Sequence, residues 1–332
     1  MNLSDKTPRV SIVIPTYNAE TTIGTCLQAL QQQTVPLDSY EIIVVDDGSQ
    51  DRTCALIEEF GDVRLFVQQN SGPAAARNLG LNHARAEFVL FTDDDCEPVE
   101  DWIDNMLVPF QSEEIIGVKG AYLSRQEELL PRFVQLEFED KYERMAQETY
   151  IDFIDTYCAG YRRKVLLENN GFDTKFRVAS AEDQELSFRL ARKGCKMVFE
   201  PRAKVYHLRH PRSIKEYWRK KFNIGYWKVV VHQRHPDKLL RDSHTPQVLK
   251  LQILLVGLAG ILLVLGFIWP VLWWLCGVTG LAFLLSTIPF ILKAWPKDPY
   301  AALFSPALLF IRALALGVGF AAGLLFNLRT GE

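Results

Sequence analysis

Hydrophobic positions along the chain fall into three regimes. Through about residue 210, short β-branched runs alternate with stretches in which apolar residues recur every three or four positions. Residues 10–14, 41–45, 63–67, 88–91 and 116–123 read as strands, each bounded by turn or polar residues. Between them, 19–33, 51–60, 74–84 and 101–111 fit amphipathic helices. Residues 184–193, closed by Gly194, fit another, and 197–206 reads as strand, loop, strand. This alternation predicts an α/β fold: a mainly parallel sheet with helices on both faces. Ligands then bind beyond the carboxyl ends of the strands.

The third regime is apolar without interruption. From Leu251 to Leu292 no residue is charged. As helix this run measures about 63 Å, roughly twice the hydrocarbon thickness of a bilayer. Trp269-Pro270 sits near its middle and predicts a turn between two spans, about 251–269 and 271–292. A third span, about 303–326, contains Arg312, which costs about 2.5–3.5 kcal/mol at mid-bilayer and so must snorkel or find a partner. The expected organisation is an α/β domain at 1–210, a basic-aromatic juxtamembrane segment at 211–248 and a transmembrane region at 249–328.

Charge sharpens this division. The formal charge of −3 hides 20 basic against 35 acidic residues in 1–200, and 13 against 3 in 201–250. Basic residues confined to one short segment exclude a general nucleic-acid binder. Arg234, Lys238, Arg241 and Lys250 precede the first span, Lys293 and Lys297 follow the second, and the turn at Pro270 is uncharged. The positive-inside rule then predicts a multi-pass cell membrane protein with residues 1–250 in the cytoplasm. The first nine residues contain no apolar segment, so no signal peptide is expected. Six scattered cysteines without a CxxC pair read as reduced packing residues.

Polar and acidic residues gather where the predicted strands end. Pro15-Thr16-Tyr17-Asn18 follows the first, Asp46-Asp47-Gly48-Ser49 the second, and Asp93-Asp94-Asp95 the fourth. Three successive carboxylates repel one another, and strand alternation places Asp93 and Asp95 on one face with Asp94 opposed. A hard divalent cation relieves that repulsion; a solvated loop is the alternative. Neither GxxxxGK[ST] nor GxGxxG occurs. Arg77, one turn into the helix after Gly72-Pro73, either holds an anionic ligand or pairs with a carboxylate. Asp183 either closes a capping box with Ser180 or, held ionised by a helix N-terminus, is a general base. His207, after an apolar run, is a packing residue or a metal ligand.

Taken in order, Pro15-Thr16-Tyr17-Asn18, Asp46-Asp47-Gly48-Ser49 with Asp51 and Thr53, Gly72 with Ala76-Arg77-Asn78 and Gly80, Asp93-x-Asp95, Ala159-Gly160, Gly171-Phe172-Asp173 and Glu182-Asp183 resemble the family 2 glycosyltransferases of the GT-A fold. The resemblance covers about residues 8–210. It implies inverting transfer of a sugar, of hexosyl type, from a nucleotide-diphosphate donor with Mg²⁺ or Mn²⁺. Pro15, Tyr17, Asn18 and Asp47 would surround the nucleoside and Arg77 would lie near the nucleotide. Asp93 and Asp95 would meet ribose and metal, Asp95 more directly, with His207 where some members add a ligand. Asp183 would deprotonate the acceptor hydroxyl, and Ala159, Gly160 and Glu182 would stand at the acceptor pocket.

Processive members of that family carry Gln-x-x-Arg-Trp after the catalytic carboxylate. The corresponding region reads Glu216-Tyr217-Trp218-Arg219-Lys220-Lys221-Phe222, so single-sugar transfer is expected. Residues 213–232 mix Lys and Arg with Tyr217, Trp218, Phe222, Tyr226 and Trp227. They suit an interfacial helix on anionic headgroups, or one packed on the catalytic domain. Expected partners are the donor and a membrane lipid or lipid-linked acceptor, with no nucleic acid. A nucleotidyltransferase and a catalytically inactive nucleotide-binding scaffold are the competing classes.

Overall fold

The computed structural model describes residues 7–176, 181–239 and 242–330. It divides into two compact units: Met1–Arg125 with Met145–Arg209, and Gln126–Arg144 with His210–Glu332.

The first unit is built on an eight-stranded sheet. In chain order the strands are β1 (Val10–Thr16), β2 (Tyr40–Asp46), β3 (Val63–Val67), β4 (Phe88–Thr92), β5 (Cys96–Pro98), β6 (Ile115–Leu123), β7 (Cys158–Arg162) and β8 (Lys196–His207). Across the sheet they run β3-β2-β1-β4-β7-β6-β8-β5. Four neighbouring pairs are parallel: β1 with β2, β2 with β3, β1 with β4, and β6 with β8. The antiparallel pairs all involve β7 or β5, the two strands that the apolar pattern does not announce. β7 is masked by its small residues, and β5 is only three residues long. The segment at 196–207 is one strand whose register with β6 shifts, where a loop between two strands was expected.

Helices α1 (Ile23–Gln31), α2 (Thr53–Glu58), α3 (Pro73–His83), α4 (Trp102–Leu107), α6 (Arg163–Glu168) and α7 (Glu182–Arg192) flank this sheet. The four expected between the early strands are all present; α1, α2 and α4 are shorter than predicted, and α3 keeps its length, displaced by one residue. The core runs through the sheet from Val13, Ile43 and Phe91 to Ala159, Tyr161, Phe172 and Leu186.

Pro15 stands in a central strand yet leaves no ladder bond broken. β1 pairs with β4 only as far as Val13, so the missing N–H falls where that ladder has stopped. Beyond it lies the end of the sheet at which the polar turns gather.

The second unit consists of helices: α5 (Leu129–Met145, all but its last residue), α8 (Ile214–Arg234), α9 (Gln247–Leu265), α10 (Leu272–Ala294) and α11 (Pro299–Thr330). Among the described residues, three stretches are long and apolar enough to cross a membrane: Gln247–Leu265, Leu272–Ala294 and Pro299–Phe326. They correspond to the three predicted spans, each displaced by a few residues. Residues 126–144, counted by sequence with the catalytic part, lie instead in this unit.

α5 supplies the partner Arg312 needs. Arg312 Nη1 donates to Glu137 Oε1 at 2.9 Å, and Nη2 to Gln252 Oε1 at 3.0 Å. The other oxygen of Glu137 accepts from Tyr217 and from Lys221, each at 3.0 Å. α8 packs along α11 so closely that a Cβ on Gly319 would stand 2.2 Å from the Phe222 carbonyl oxygen, and one on Gly225 2.3 Å from that of Leu316. Small residues permit such backbone approach between helices.

Candidate active site

The turns after β1, β2 and β4 are stapled to one another. Asn18, with φ of 51°, accepts the Gln50 N–H on its side-chain oxygen and donates its own N–H to Ser49, both at 2.8 Å. Asn tolerates that left-handed backbone better than most residues. Tyr17 is 48% exposed beside it. Asp47, expected to face the nucleoside, is buried and already engaged. It accepts from Gln68 Nε2 at 2.7 Å and from the backbone N–H groups of Ser71 and Gly72 at 2.8 Å. It therefore fixes the start of α3, where Gly72 at φ 90° precedes Pro73.

The three carboxylates after β4 do not alternate as a strand would arrange them. The chain turns, with Cys96 N–H donating to the Asp93 carbonyl at 3.1 Å, and each side chain finds a different neighbour. Asp93 accepts from Arg77 Nη2 at 2.9 Å. Asp94 accepts from Thr16 Oγ1 at 2.8 Å and from the Tyr17 N–H at 3.3 Å. Burial and the charges of Asp95 and Asp93 push the Asp94 carboxyl up to about 7. Asp95 Oδ2 lies 3.5 Å from His207 Nε2. The three side chains thus meet three different neighbours.

His207 Nδ1 accepts the Arg209 N–H at 3.2 Å, which leaves the ring proton on Nε2, toward Asp95. In that state His207 offers Asp95 a proton and not a lone pair. Among the described residues no three His, Cys, Asp or Glu side chains converge on a metal position. This donor set does not make a closed protein cage. It fits a hard cation that takes the Asp95 carboxylate and completes its shell with diphosphate oxygens and water.

Arg77 is the keystone between the cluster and α7. It is 3% exposed; its Nη1 donates to Glu182 Oε1 at 2.8 Å while Nη2 holds Asp93, and its guanidinium lies 5.7 Å from the Phe172 ring centre. Asn78, the next residue, receives the Phe172 N–H at 2.8 Å and donates to its carbonyl at 2.7 Å. Arg77 and Asn78 therefore tie α3 to the Gly171-Phe172-Asp173 turn and to α7. Arg77 pairs with two carboxylates at the site, the buried Glu182 and the partly exposed Asp93.

Asp183 is the second residue of α7, with Ala181 at the N-cap, so the capping-box spacing from Ser180 does not match this helix start; Ser180 itself lies outside the described residues. Its Oδ1 accepts the Gln184 N–H at 2.7 Å. The helix N-terminus was expected to lower its pKa. Burial, Glu182 and Asp155 instead raise it well above the carboxylate range, with Arg77 opposing. Ser187 Oγ accepts the Ile154 N–H at 3.0 Å and donates to the Asp183 carbonyl at 2.7 Å, which holds the Asp155 segment against this turn.

Ala159 and Gly160, expected to line an acceptor pocket, sit mid-sheet. They pair with Phe91 and Leu90 on one side and with Lys119 and Val118 on the other. A Cβ on Gly160 would stand 2.8 Å from Leu90 Cδ2, so that side chain would have to shift. Glu182 is likewise occupied by Arg77. Asp155, whose charge acts on Asp183, is held by Lys119, a residue that the sequence reading passed over. Lys119, fully buried, pairs with Asp155 at 2.5 Å and donates to the Tyr157 hydroxyl at 2.7 Å. Tyr157 stacks on Tyr122 at 3.3 Å, and Tyr122 meets the His207 ring edge-on at 4.7 Å. This chain of contacts joins the Asp95 side to the Asp183 side. The available signal was a lone lysine inside the apolar run of β6.

Comparison with known proteins places this geometry. Residues 11–169 match the sequence profile of Glycosyl transferase family 2. EpsH of Bacillus subtilis, named as a glycosyltransferase, is 32% identical over 65% of this chain and 65% of its own length. The glycosyltransferase AglE of Haloferax volcanii is 37% identical over 29% of this chain and 34% of its own. The chain thus spans between a third and two thirds of these relatives. Among solved structures, the mannosyltransferase PcManGT of Pyrobaculum calidifontis, in complex with GDP-Man and Mn²⁺, superposes with a TM-score of 0.60 at 21% identity. The match covers 96% of this chain and 88% of that one. The profile match ends before Asp183 and His207.

Proposed function

Residues 11–169 are a family 2 glycosyltransferase domain of the GT-A fold, and from that premise we propose that the chain is an inverting, non-processive glycosyltransferase of hexosyl type. It would move one sugar from a nucleotide-diphosphate donor to a membrane lipid or lipid-linked acceptor. One observation carries the reading. Arg77 bridges Asp93 of the acidic turn to Glu182, the residue before Asp183, which supports a site that joins the two.

Each step has a residue suited to it. Asp183 takes the proton of the acceptor hydroxyl as that oxygen bonds to the anomeric carbon. The bond from that carbon to the diphosphate breaks on the opposite face, which inverts the centre. Tyr17 and Asn18, exposed at the cleft rim, bound the nucleoside, with Asp47 shaping the loop behind them. Asp95 would hold a divalent cation, Mg²⁺ or Mn²⁺, with His207 orienting the carboxylate. Such an ion supplies neutralisation of the departing diphosphate. PcManGT, with GDP-Man and Mn²⁺, supports that assignment. Three apolar helices and the cationic flanks support a multi-pass membrane protein with its catalytic unit on the cytoplasmic side.

The test uses the full chain in lipid nanodiscs with UDP- and GDP-sugars, Mn²⁺ and a membrane lipid extract, read by the mass of any glycolipid formed. Addition of one sugar to a lipid is the expected product. Release of sugar 1-phosphate with transfer of the nucleoside monophosphate would identify a nucleotidyltransferase, and donor binding without turnover an inactive scaffold; either result overturns the proposal.

A further inference from the structure

At this site the acids reach solvent and the cations that hold them do not. Lys119 pairs with Asp155 at 2.5 Å; the lysine side chain is 0% exposed and the carboxylate 16%. Arg77 pairs with Asp93 at 2.9 Å; the guanidinium is 4% exposed and the carboxylate 30%. His207 is buried in the same way behind Asp95. Each pair turns its oxygens outward and keeps its nitrogen in the interior. Lys119 is fixed there by a second bond, to the Tyr157 hydroxyl at 2.7 Å, and the Tyr157 carbonyl accepts from Thr92 Oγ1 at 2.9 Å.

Asp155 is brought to Asp183 by Ser187. Its Oγ takes the Ile154 N–H at 3.0 Å and donates to the Asp183 carbonyl at 2.7 Å, so the chain entering Asp155 and the first turn of α7 meet at one hydroxyl. Asp183, like Asp155, is partly exposed. Two carboxylates with their counter-charges behind them present acceptor oxygens and negative charge. A phosphomonoester carries about −1.5 to −2 charges at pH 7 and is repelled by both. It is also deprotonated already and has no use for a base. An uncharged hydroxyl is the opposite case: it donates to a carboxylate, and it becomes a nucleophile when a base removes its proton.

We propose that the accepting group is an uncharged hydroxyl of a saccharide or other polyol, that Asp155, positioned by Lys119, binds a second hydroxyl of the same acceptor, and that a lipid phosphate is refused. The inference deepens the transferase reading and rests on it. The acceptor oxygen bonds to the anomeric carbon and its proton passes to Asp183. The bond from that carbon to the diphosphate breaks, and its electron pair leaves on the diphosphate. Repulsion of the wrong acceptor supplies selectivity that contacts to the right one need not provide.

The test uses the full chain in lipid nanodiscs with Mn²⁺, UDP- and GDP-sugars and a membrane lipid extract, and asks what the transferred sugar is bonded to. Mild acid cleaves a glycosyl phosphate and spares a glycoside. The sugar should come away still joined to its acceptor residue. Release of the free monosaccharide would place it on phosphate and overturn the inference with the transferase reading intact. Formation of no glycolipid at all overturns that reading, and this inference with it. On the alkaline side of the pH profile, Asp155→Asn should raise the KM for the extract about tenfold, the loss of one hydrogen bond to a charged group, with the donor KM unchanged. Dodecyl phosphate, a poor inhibitor of the native chain, should inhibit that variant more strongly. Lys119→Gln should raise the same acceptor KM and spare the donor KM, a split that a merely structural lysine would not produce. An acceptor KM within twofold of the native chain in Asp155→Asn overturns the role of Asp155. The mild-acid result comes from the native chain, so it decides the accepting group whether or not a variant folds.

Discussion

In the proposed reaction Asp183 moves the proton, while Arg77 joins Asp93 to Glu182. Asp183→Asn should lower kcat by about 10²- to 10⁴-fold with donor affinity retained, as expected for loss of a general base; full-rate transfer in that variant would exclude Asp183 from the mechanism. The base acts only when deprotonated, and burial, Glu182 and Asp155 raise its pKa. Transfer should therefore fall on the acid side of a pKa above the usual carboxylate range. Asp155→Asn removes one of the charges that raise it, so the acid limb should move to lower pH; a limb that stays in place would show that Asp155 does not face the base. Arg77→Ala leaves Glu182, 2% exposed, without its counter-charge. The cost should be about 3–5 kcal/mol, read from the denaturant midpoint. Much of this was legible beforehand: Asp183, Arg77 and the 93–95 run were all singled out from their positions after strands and at helix starts. Their partners were not, because Glu182, Asp155 and Lys119 are brought in by strands and helices distant in sequence.

Between elements, α5 is the piece whose place the local pattern misassigned. Its sequence neighbours belong to the sheet unit, yet Arg132 reaches Asp298 at 2.6 Å, Lys297 reaches Glu139 at 2.8 Å, and Glu137 receives Arg312. Glu137→Gln strips the carboxylate from Arg312 and Lys221 together. It should lower the melting temperature of the second unit strongly, by the equivalent of about 3–5 kcal/mol. The double variant Glu137→Met with Arg312→Met should recover most of that loss, because no unpaired charge remains between them. α8 was read as an interfacial helix or one packed on the catalytic domain. It lies along α11, and its aromatic positions serve that packing: Tyr217 is 1% exposed, and Tyr226 meets Phe326 at 6.1 Å. Gly319→Leu should force the two helices apart and destabilise the pair by about 1–3 kcal/mol or more, seen as earlier proteolysis of α8.

At the scale of the whole chain, two chemistries are joined by continuity of sequence. A sheet unit with an acidic end is followed by helices long and apolar enough to cross a membrane. Chelation with EDTA should abolish transfer, and Mn²⁺ should restore it. Undiminished turnover in EDTA would remove the cation from the mechanism. Thiol labelling of a cysteine placed at Val271 should report the face opposite the catalytic unit, as the uncharged turn there predicts; labelling from the cytoplasmic face would invert the topology.

Periodicity and charge were enough to determine that the chain has an α/β part and three apolar spans, and which strand ends carry the acidic residues, because these depend on local order alone. The tertiary structure decided how those acids are spent. A tight turn sent Asp93, Asp94 and Asp95 to three separate neighbours, two buried aromatic rings and Lys119 linked Asp155 to His207, and residues 126–144 crossed to the helical unit. Pairing of this kind rests on contacts between residues far apart along the chain. No window of sequence contains both partners, so the pattern could name the groups but not whom they would meet.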